Sequence, residues 1–155
     1  MSAASLADGS RTEKIARPYL IAAMLALVGL ADAIYLTVEH LTGQSLRCTI
    51  VSGCSEVLSS PYSHIGSIPL AAIGAFAYFA VFSLATLAAF HYQFALLLLK
   101  IMVAIMFLTT LWLLYLQAFV IHHFCQYCLL SALVTFMLTG VLLLTSLTKS
   151  NRTRR

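Results

Sequence analysis

Four cysteines, arranged as two pairs, are the residues of this chain best suited to chemistry. Cys48 and Cys54 have five residues between them, whereas Cys125 and Cys128 form a Cys-x-x-Cys motif. At a helix N-terminus, such a motif is stabilised as thiolate by free backbone N–H groups and the helix dipole. Thiol–disulfide exchange needs an attacking thiolate, a mobile relay and an accessible sulfur. Two dithiols at one membrane surface therefore suggest electron transfer from thiols to an acceptor dissolved in lipid.

The composition is that of a membrane protein. Of the 155 residues, 61% are hydrophobic and 9% are charged, whereas soluble domains are about half apolar and a quarter charged. A chain of this length forms one domain. The net charge of +4 comes from basic residues at the two ends, which is typical of membrane orientation rather than of a phosphate-binding surface. We therefore expect membrane lipid as a partner, and no nucleic acid.

Four apolar segments are long enough to cross a bilayer, for which about 20 helical residues suffice. Pro18 and Pro69 start the first two, since proline is tolerated at a first helical position. The sequence thus predicts an all-α membrane protein, a four-transmembrane-helix bundle spanning 18–148, with basic tails at 1–17 and 149–155. The predicted spans are residues 18–41, 69–90, 94–122 and 126–147.

The first two helices are joined by a Gly/Ser-rich outer loop, residues 42–68, which carries Cys48 and Cys54. Residues 54–60 are predicted to form a short surface helix that ends at Pro61.

The basic residues predict an orientation. Four helices put both termini on one side, and of the nine basic residues only Arg47 lies on the other. The positive-inside rule then places both termini in the cytoplasm. All four thiols fall on the outer face of the membrane, where disulfides persist. Cys125 is the outermost and more reactive thiol of its pair, and Cys128 lies deeper, within reach of a lipid-soluble oxidant.

A cleavable signal peptide is a competing interpretation of the first segment, because Ala31-Asp32-Ala33 resembles a cleavage site. The apolar run continues past it to Val38, which favours an uncleaved helix.

Zinc binding and structural bridging are alternative roles for the cysteines. A four-thiol zinc site usually has two short knuckles, and this chain has one, so no metal is expected. Structural disulfides staple small secreted folds, but a bundle of apolar helices needs no such staple. A non-catalytic membrane scaffold with structural disulfides remains the alternative from another class.

With these motifs the chain resembles the vitamin K epoxide reductase family, specifically its bacterial branch, from Tyr19 to Leu147. The other bacterial quinone-linked oxidase with four helices places its Cys-x-x-Cys in the first outer loop, which is the reverse of the order here. Besides the four cysteines, the matching motifs are Ala33-Ile34-Tyr35-Leu36-Thr37 before His40, Ser59-Ser60-Pro61-Tyr62, Ile68-Pro69 before Gly74, and Phe124 through Ala132.

The resemblance implies a four-helix bundle around a quinone, ubiquinone or menaquinone, that serves as electron acceptor. It implies that Cys48 exchanges electrons with a periplasmic thioredoxin-fold partner, and that Cys54 relays them to Cys125. Cys128 then delivers them to the quinone, and disulfide formation in secreted proteins is the outcome. By resemblance, the residues near the quinone are Ser60, Leu58, Tyr78, Ile121 and Tyr127.

Two departures from the family pattern narrow this expectation. The vertebrate enzymes hold their quinone with an asparagine near the second helix and a tyrosine four residues beyond the final cysteine. Here the one asparagine is Asn151, in the tail, and the second position is Ala132. Plain quinone reduction is therefore expected rather than epoxide reduction. Many bacterial relatives carry a fused thioredoxin-like domain. This sequence has a basic tail in that place, so a separate partner protein, acting in trans, is expected.

The remaining polar residues of interest have two possible roles each. Gln117 either hydrogen-bonds a quinone oxygen or links helices. His122 and His123 either relay protons at the membrane exit or do nothing. Asp32, an acid within a membrane span, either has a function or forms a structural pair, and its distance from the outer face argues against direct chemistry.

Overall fold

The computed structural model describes residues 3–42, 57, 64–65, 68–90 and 92–153. Its elements, in chain order, are α1 (Ala3–Thr42), β1 (His64–Ile65), β2 (Ile68–Pro69), α2 (Leu70–Ala89), α3 (Gln93–Leu116), a π-helical turn (Gln117–Ile121) and α4 (Gln126–Thr153). In this part of the chain, four helices are long and apolar enough to span a membrane. The predicted four-transmembrane-helix fold is confirmed.

The membrane spans match the predicted segments, but the first and last helices of the chain are longer than predicted. The four spans are Ala16–Thr42, Leu70–Ala89, Gln93–Ile121 and Gln126–Thr148. The expectation that the first helix starts at Pro18 is wrong, because α1 begins at Ala3 and contains Pro18. Alanine, leucine, glutamate and lysine before Pro18 are strong helix formers, and one proline removes a single main-chain hydrogen bond. Likewise α4 continues to Thr153 instead of ending at Leu147.

Small residues let α1 and α2 pack closely. Ala22, Ala26, Gly29 and Ala33 form a buried stripe on α1 at helical spacing. Small residues are enriched where transmembrane helices meet, because they allow backbones to approach. Gly29 faces the ring of Tyr78 so closely that an added Cβ would overlap ring carbons. This contact fixes the register of α1 against α2.

The buried core extends along the bundle away from the cysteines. On α2 it contains Val81, Ala85 and Ala88, on α3 Leu99 and Val103, and on α4 Val134, Leu138 and Leu142. The outward faces of the same helices carry large apolar side chains, such as Phe76, which is 79% exposed. A bundle that is apolar outside as well as inside is suited to lipid.

Four helix termini meet at one end of the bundle, which we call the thiol end. There α1 ends at Thr42, α2 begins at Leu70, the π-helical turn ends at Ile121 and α4 begins at Gln126. The strands β1 and β2 form a two-residue antiparallel pair that leads into α2. Val57 is helical, and the remainder of the predicted surface helix at 54–60 lies outside the described residues.

Candidate active site

A cavity of about 160 Å³ lies between the four helices and extends from Asp32 to residues at the thiol end, such as His40 and Ile121. Its walls are mostly apolar. An engineered apolar cavity of about 150 Å³ holds one benzene molecule, so the space fits a single quinone ring. Its polar or reactive lining residues are Asp32, His40, Tyr78, Thr110, Gln117, Cys128 and Ser131.

The Cys-x-x-Cys motif begins α4, as the sequence predicted. The backbone carbonyl of Cys125 accepts the N–H of Leu129 at 3.0 Å, which makes Cys125 the residue that caps the helix. Cys125 and Cys128 are free thiols. Cys128 lines the cavity, whereas Cys125 is completely buried. The pair therefore has one sulfur in the cavity and one behind it.

Hydrogen bonds favour the thiolate of Cys125. Its pKa is lowered to about 7, first because the Cys128 thiol donates a hydrogen bond to it, against the opposing effect of burial. The backbone N–H groups of Tyr127 and Cys128 lower the pKa further, as free amides in the first turn of a helix do. Cys125 is thus the thiol of the pair that ionises near neutral pH, and the Cys128 thiol is its hydrogen-bond donor.

Gln117 connects the end of α3 to both cysteines. It is the first residue of the π-helical turn and is buried, and its Oε1 accepts the Cys125 backbone N–H at 3.4 Å. Its side chain also hydrogen-bonds Cys128 and lines the cavity. Both roles considered for Gln117 are thus geometrically available. The turn is followed by His122, which has a left-handed φ of 56° and lies between the turn and α4.

Val57 covers the buried thiol. It forms a small cluster with Cys125, against which Ile121, Tyr127 and Cys128 pack. Val57 is 8% exposed, and it also lines the cavity. Val57 therefore shields Cys125 at the thiol end, although Cys125 was expected to be the outermost thiol of its pair.

The far end of the cavity is formed by Asp32 and Tyr78. Asp32 lies ten residues before Thr42, about 15 Å along α1 at 1.5 Å per residue, and Tyr78 lies eight residues into α2, about 12 Å. The hydroxyl of Tyr78 donates to the Ser131 carbonyl oxygen at 3.0 Å, with the Ser131 Oγ at 2.8 Å and the Thr135 Oγ1 at 3.1 Å. Asp32 is 8% exposed, and its Oδ2 is buried without a hydrogen-bond partner.

The predicted quinone-site residues fall into three groups. Tyr78, Gln117 and Ile121 line the cavity. Tyr127 is absent from the lining, in contrast to the expectation from the resemblance. Its ring packs against Tyr35 with centroids 5.2 Å apart, because neighbouring residues on a helix point about 100° apart. The remaining predicted site residues, Cys48, Cys54, Leu58 and Ser60, lie outside the described residues.

The far end of the cavity is the part of the site that sequence reasoning undervalues. The sequence suggests that Asp32 is too distant from the outer face for direct chemistry, yet the cavity that Cys128 lines extends to it. His40 and Thr110 also line the cavity. The signal for Asp32 and His40 is their spacing of eight residues, which places both on one face of α1 with Leu36. His122 and His123 are exposed at the thiol end.

Comparison with known proteins agrees with this geometry. The family model described as "Vitamin K epoxide reductase family" matches residues 20–143, most of the chain. The chain belongs to this family. No individual curated protein matches it at a significant level. Membership of the vitamin K epoxide reductase family, together with the four spans, makes this chain a multi-pass membrane oxidoreductase of the thiol–disulfide type.

Proposed function

We propose that the chain is a thiol oxidase that passes electrons from a thioredoxin-fold protein to a membrane quinone. The observation that carries the proposal is the position of Cys128. It lines a cavity of one-ring volume and hydrogen-bonds Cys125 behind it. A quinone bound there supplies the acceptor for two electrons, and the two cysteines supply those electrons as they form a disulfide.

The cavity favours plain quinone reduction. Ala132, at the position where vertebrate enzymes have a tyrosine, is 5% exposed and lines the cavity. A methyl group there cannot donate a hydrogen bond to a quinone oxygen. Tyr78 is in hydrogen bonds to α4, so orientation of the ring falls to Gln117 and Cys128. Ubiquinone and menaquinone both carry a pair of quinone oxygens, and the one-ring volume of the cavity favours the single ring of ubiquinone over the two fused rings of menaquinone.

The outer loop supplies the relay in this proposal. Cys54 is three residues before Val57 in the sequence, and three extended residues reach at most about 11 Å. Since Val57 packs on Cys125, this length of chain lets Cys54 reach the buried sulfur. Cys48 then takes electrons from the thioredoxin-fold partner and passes them to Cys54. A stable thiolate at Cys125 makes it a good leaving group when a Cys54–Cys125 disulfide is cleaved. It also makes Cys125 a ready nucleophile when that disulfide forms.

The proposed setting is a bacterial inner membrane with both termini in the cytoplasm and the thiol end in the periplasm. Eight of the nine basic residues lie in the tails or near that cytoplasmic side, Lys100 among them. Lys100 is exposed and lies seven residues into α3, about 10 Å along the helix, where its stem can reach the interface. Labelling of intact cells with a membrane-impermeant thiol reagent tests this orientation.

The enzymatic proposal is tested with purified full-length chain, a reduced thioredoxin-fold protein and a short-tailed quinone. We expect hydroquinone to form with the wild type and not with Cys125→Ala or Cys128→Ala, while both variants still insert. Wild-type turnover in both variants would contradict the proposal. No turnover by the wild type would point to the membrane scaffold with structural disulfides instead.

The relay order has its own test. Cys128→Ala removes the thiol that would resolve the bond between Cys54 and Cys125, so that disulfide should accumulate. Mass spectrometry of the non-reduced variant should find it. Recovery of a Cys48–Cys54 bridge alone would contradict the order.

A further inference from the structure

We propose that Asp32 is a catalytic acid that donates one of the two protons needed to convert the bound quinone to hydroquinone. The inference rests on the proposed function, because it concerns the same cavity. It assigns the far end of that cavity a chemical role, where the relay of cysteines uses only the thiol end.

Asp32 has unused hydrogen-bonding capacity at this site. Across the described residues, its Oδ2 is the single buried side-chain polar atom without a partner. Buried polar groups are nearly always hydrogen-bonded. An acid within the membrane is energetically costly, and its presence therefore suggests a functional site. Tyr78, beside it, is fully engaged with Ser131 and Thr135. An unpaired acid in a cavity of ligand size is suited to a ligand oxygen.

The surroundings of Asp32 favour the neutral acid. Of the described residues that line the cavity, only His40 can carry a positive charge, and it lies eight residues nearer the thiol end, about 12 Å along α1. An unpaired carboxylate in such an apolar site is strongly disfavoured. Asp32 therefore holds a proton that it can give when negative charge arrives in the cavity.

Proton counting requires such a donor. Hydroquinone formation takes two electrons and two protons. Hydrogen bonds favour Cys125 as thiolate. The reduced pair of Cys125 and Cys128 therefore supplies the quinone with both electrons but with only one proton, the one on Cys128. A second proton must come from elsewhere in the cavity, and Asp32 is the unengaged acid that lines it.

The two donors lie at opposite ends of the cavity. Cys128 is two residues into α4, about 3 Å from the thiol end, whereas Asp32 is about 15 Å from it by helical rise. The two oxygens of a para-quinone likewise lie at opposite ends of the ring. Cys128 protonates the near oxygen and Asp32 the far one.

The step balances in atoms, electrons and charge. The sulfurs of Cys125 thiolate and Cys128 thiol lose two electrons and form an S–S bond. The Cys128 S–H bond and the Asp32 O–H bond break, and both protons go to quinone oxygens. The total charge is unchanged, because the negative charge is on the Cys125 sulfur before the reaction and on the Asp32 carboxylate after it. Water then returns a proton to Asp32, equal to the one that Cys125 released when it ionised.

The test uses full-length chain in lipid nanodiscs, as wild type, Asp32→Asn and Asp32→Glu, with a short-tailed benzoquinone as the probe. Asparagine keeps the shape and a hydrogen-bond donor but cannot transfer a proton, whereas glutamate keeps the acid. The infrared spectrum without quinone should contain a neutral carboxylic acid band that Asp32→Asn lacks and Asp32→Glu shifts. Quinone binding, measured by equilibrium dialysis, should be retained in Asp32→Asn.

The rate is measured in a single turnover of pre-reduced enzyme. Loss of a general acid typically costs about 10²- to 10⁴-fold, so hydroquinone formation by Asp32→Asn should slow by that factor and Asp32→Glu should restore most of it. A wild-type rate in Asp32→Asn, loss of quinone binding in that variant, or no acid band in the wild type would each overturn the proposal. If Asp32→Asn does not insert into the membrane, the Asp32→Glu variant decides. Absence of both the carboxylic acid band and hydroquinone formation in Asp32→Glu would also overturn the proposal. Absence of hydroquinone from the wild type itself would instead count against the proposed function.

Discussion

The ionisation of Cys125 provides a quantitative prediction. The structure attributes the lowering of its pKa first to the hydrogen bond from the Cys128 thiol. A chain whose only cysteine is Cys125 isolates this effect, with Cys48 and Cys54 replaced by serine. Cys128→Ser then keeps a hydroxyl donor beside the thiolate, and Cys128→Ala removes the donor without adding bulk.

The expected difference follows from the pKa of Cys125, which is about 7 with the donor and has an ordinary value of 9.0. Without the donor, burial and the remaining backbone hydrogen bonds oppose each other, so we expect a return to near 9.0. At neutral pH the thiolate fraction then falls from about one half to about one per cent, roughly 50-fold. The more basic thiolate is about 8-fold more nucleophilic, with a Brønsted slope of about 0.45. The net fall in alkylation rate is about 6-fold.

The assay is the rate of alkylation by iodoacetamide as a function of pH, in detergent, for the two single-cysteine chains. The rate should rise with pH in both, because the thiolate is the reactive form. The midpoint should lie near 7 in the Cys128→Ser chain and near 9.0 in the Cys128→Ala chain. Burial under Val57 slows both chains equally and does not change the difference between their midpoints. Equal midpoints would refute the assignment of this hydrogen bond as the main cause.

Three further predictions concern packing. Gly29→Ala should destabilise the bundle by about 1–3 kcal/mol, typical of overpacking, because the new methyl meets the Tyr78 ring. Gly140→Ala, where the methyl meets nothing within 4 Å, is the control, and equal unfolding midpoints in a denaturing-detergent titration would contradict the packing. Tyr78→Phe should lose about 0.6 kcal/mol, the average for a hydrogen bond in a membrane protein, in the same titration, whereas a gain in stability would contradict the bonds described. Val57→Gly should speed alkylation of Cys125 and lower its pH midpoint, because burial raises the pKa of this thiol. An unchanged rate would mean that Val57 does not cover the thiol.

The transmembrane segments could be predicted because lipid allows few solutions. A spanning segment must satisfy its backbone internally, so apolar runs of sufficient length become helices. Hydropathy could not show that α1 extends to Ala3, because residues beyond the membrane follow helix propensity instead. It also could not show the π-helical turn at Gln117–Ile121, which depends on how α3 meets α4.

The cavity was less predictable, because it depends on the contacts of four helices. Cys128 could be assigned a role from spacing and resemblance. Asp32 could be noticed from its charge, but its position relative to Cys128 depends on the contact of Gly29 with Tyr78, which sets the register of α1. Tyr127 was expected near the quinone and instead packs on Tyr35, because sequence adjacency to Cys128 does not give a shared face.

The most direct test of the central claim is a stoichiometric one. The claim is that the cysteine pair of α4 reduces a quinone held in the cavity that Cys128 lines. A chain with Cys48→Ser and Cys54→Ser retains that pair alone. After reduction and removal of reductant, mixing with a short-tailed quinone without oxygen should give one hydroquinone and one Cys125–Cys128 disulfide per chain. The same chain with Cys128→Ser should give neither. Hydroquinone formed equally without Cys128, or none formed by the intact pair, would contradict the account.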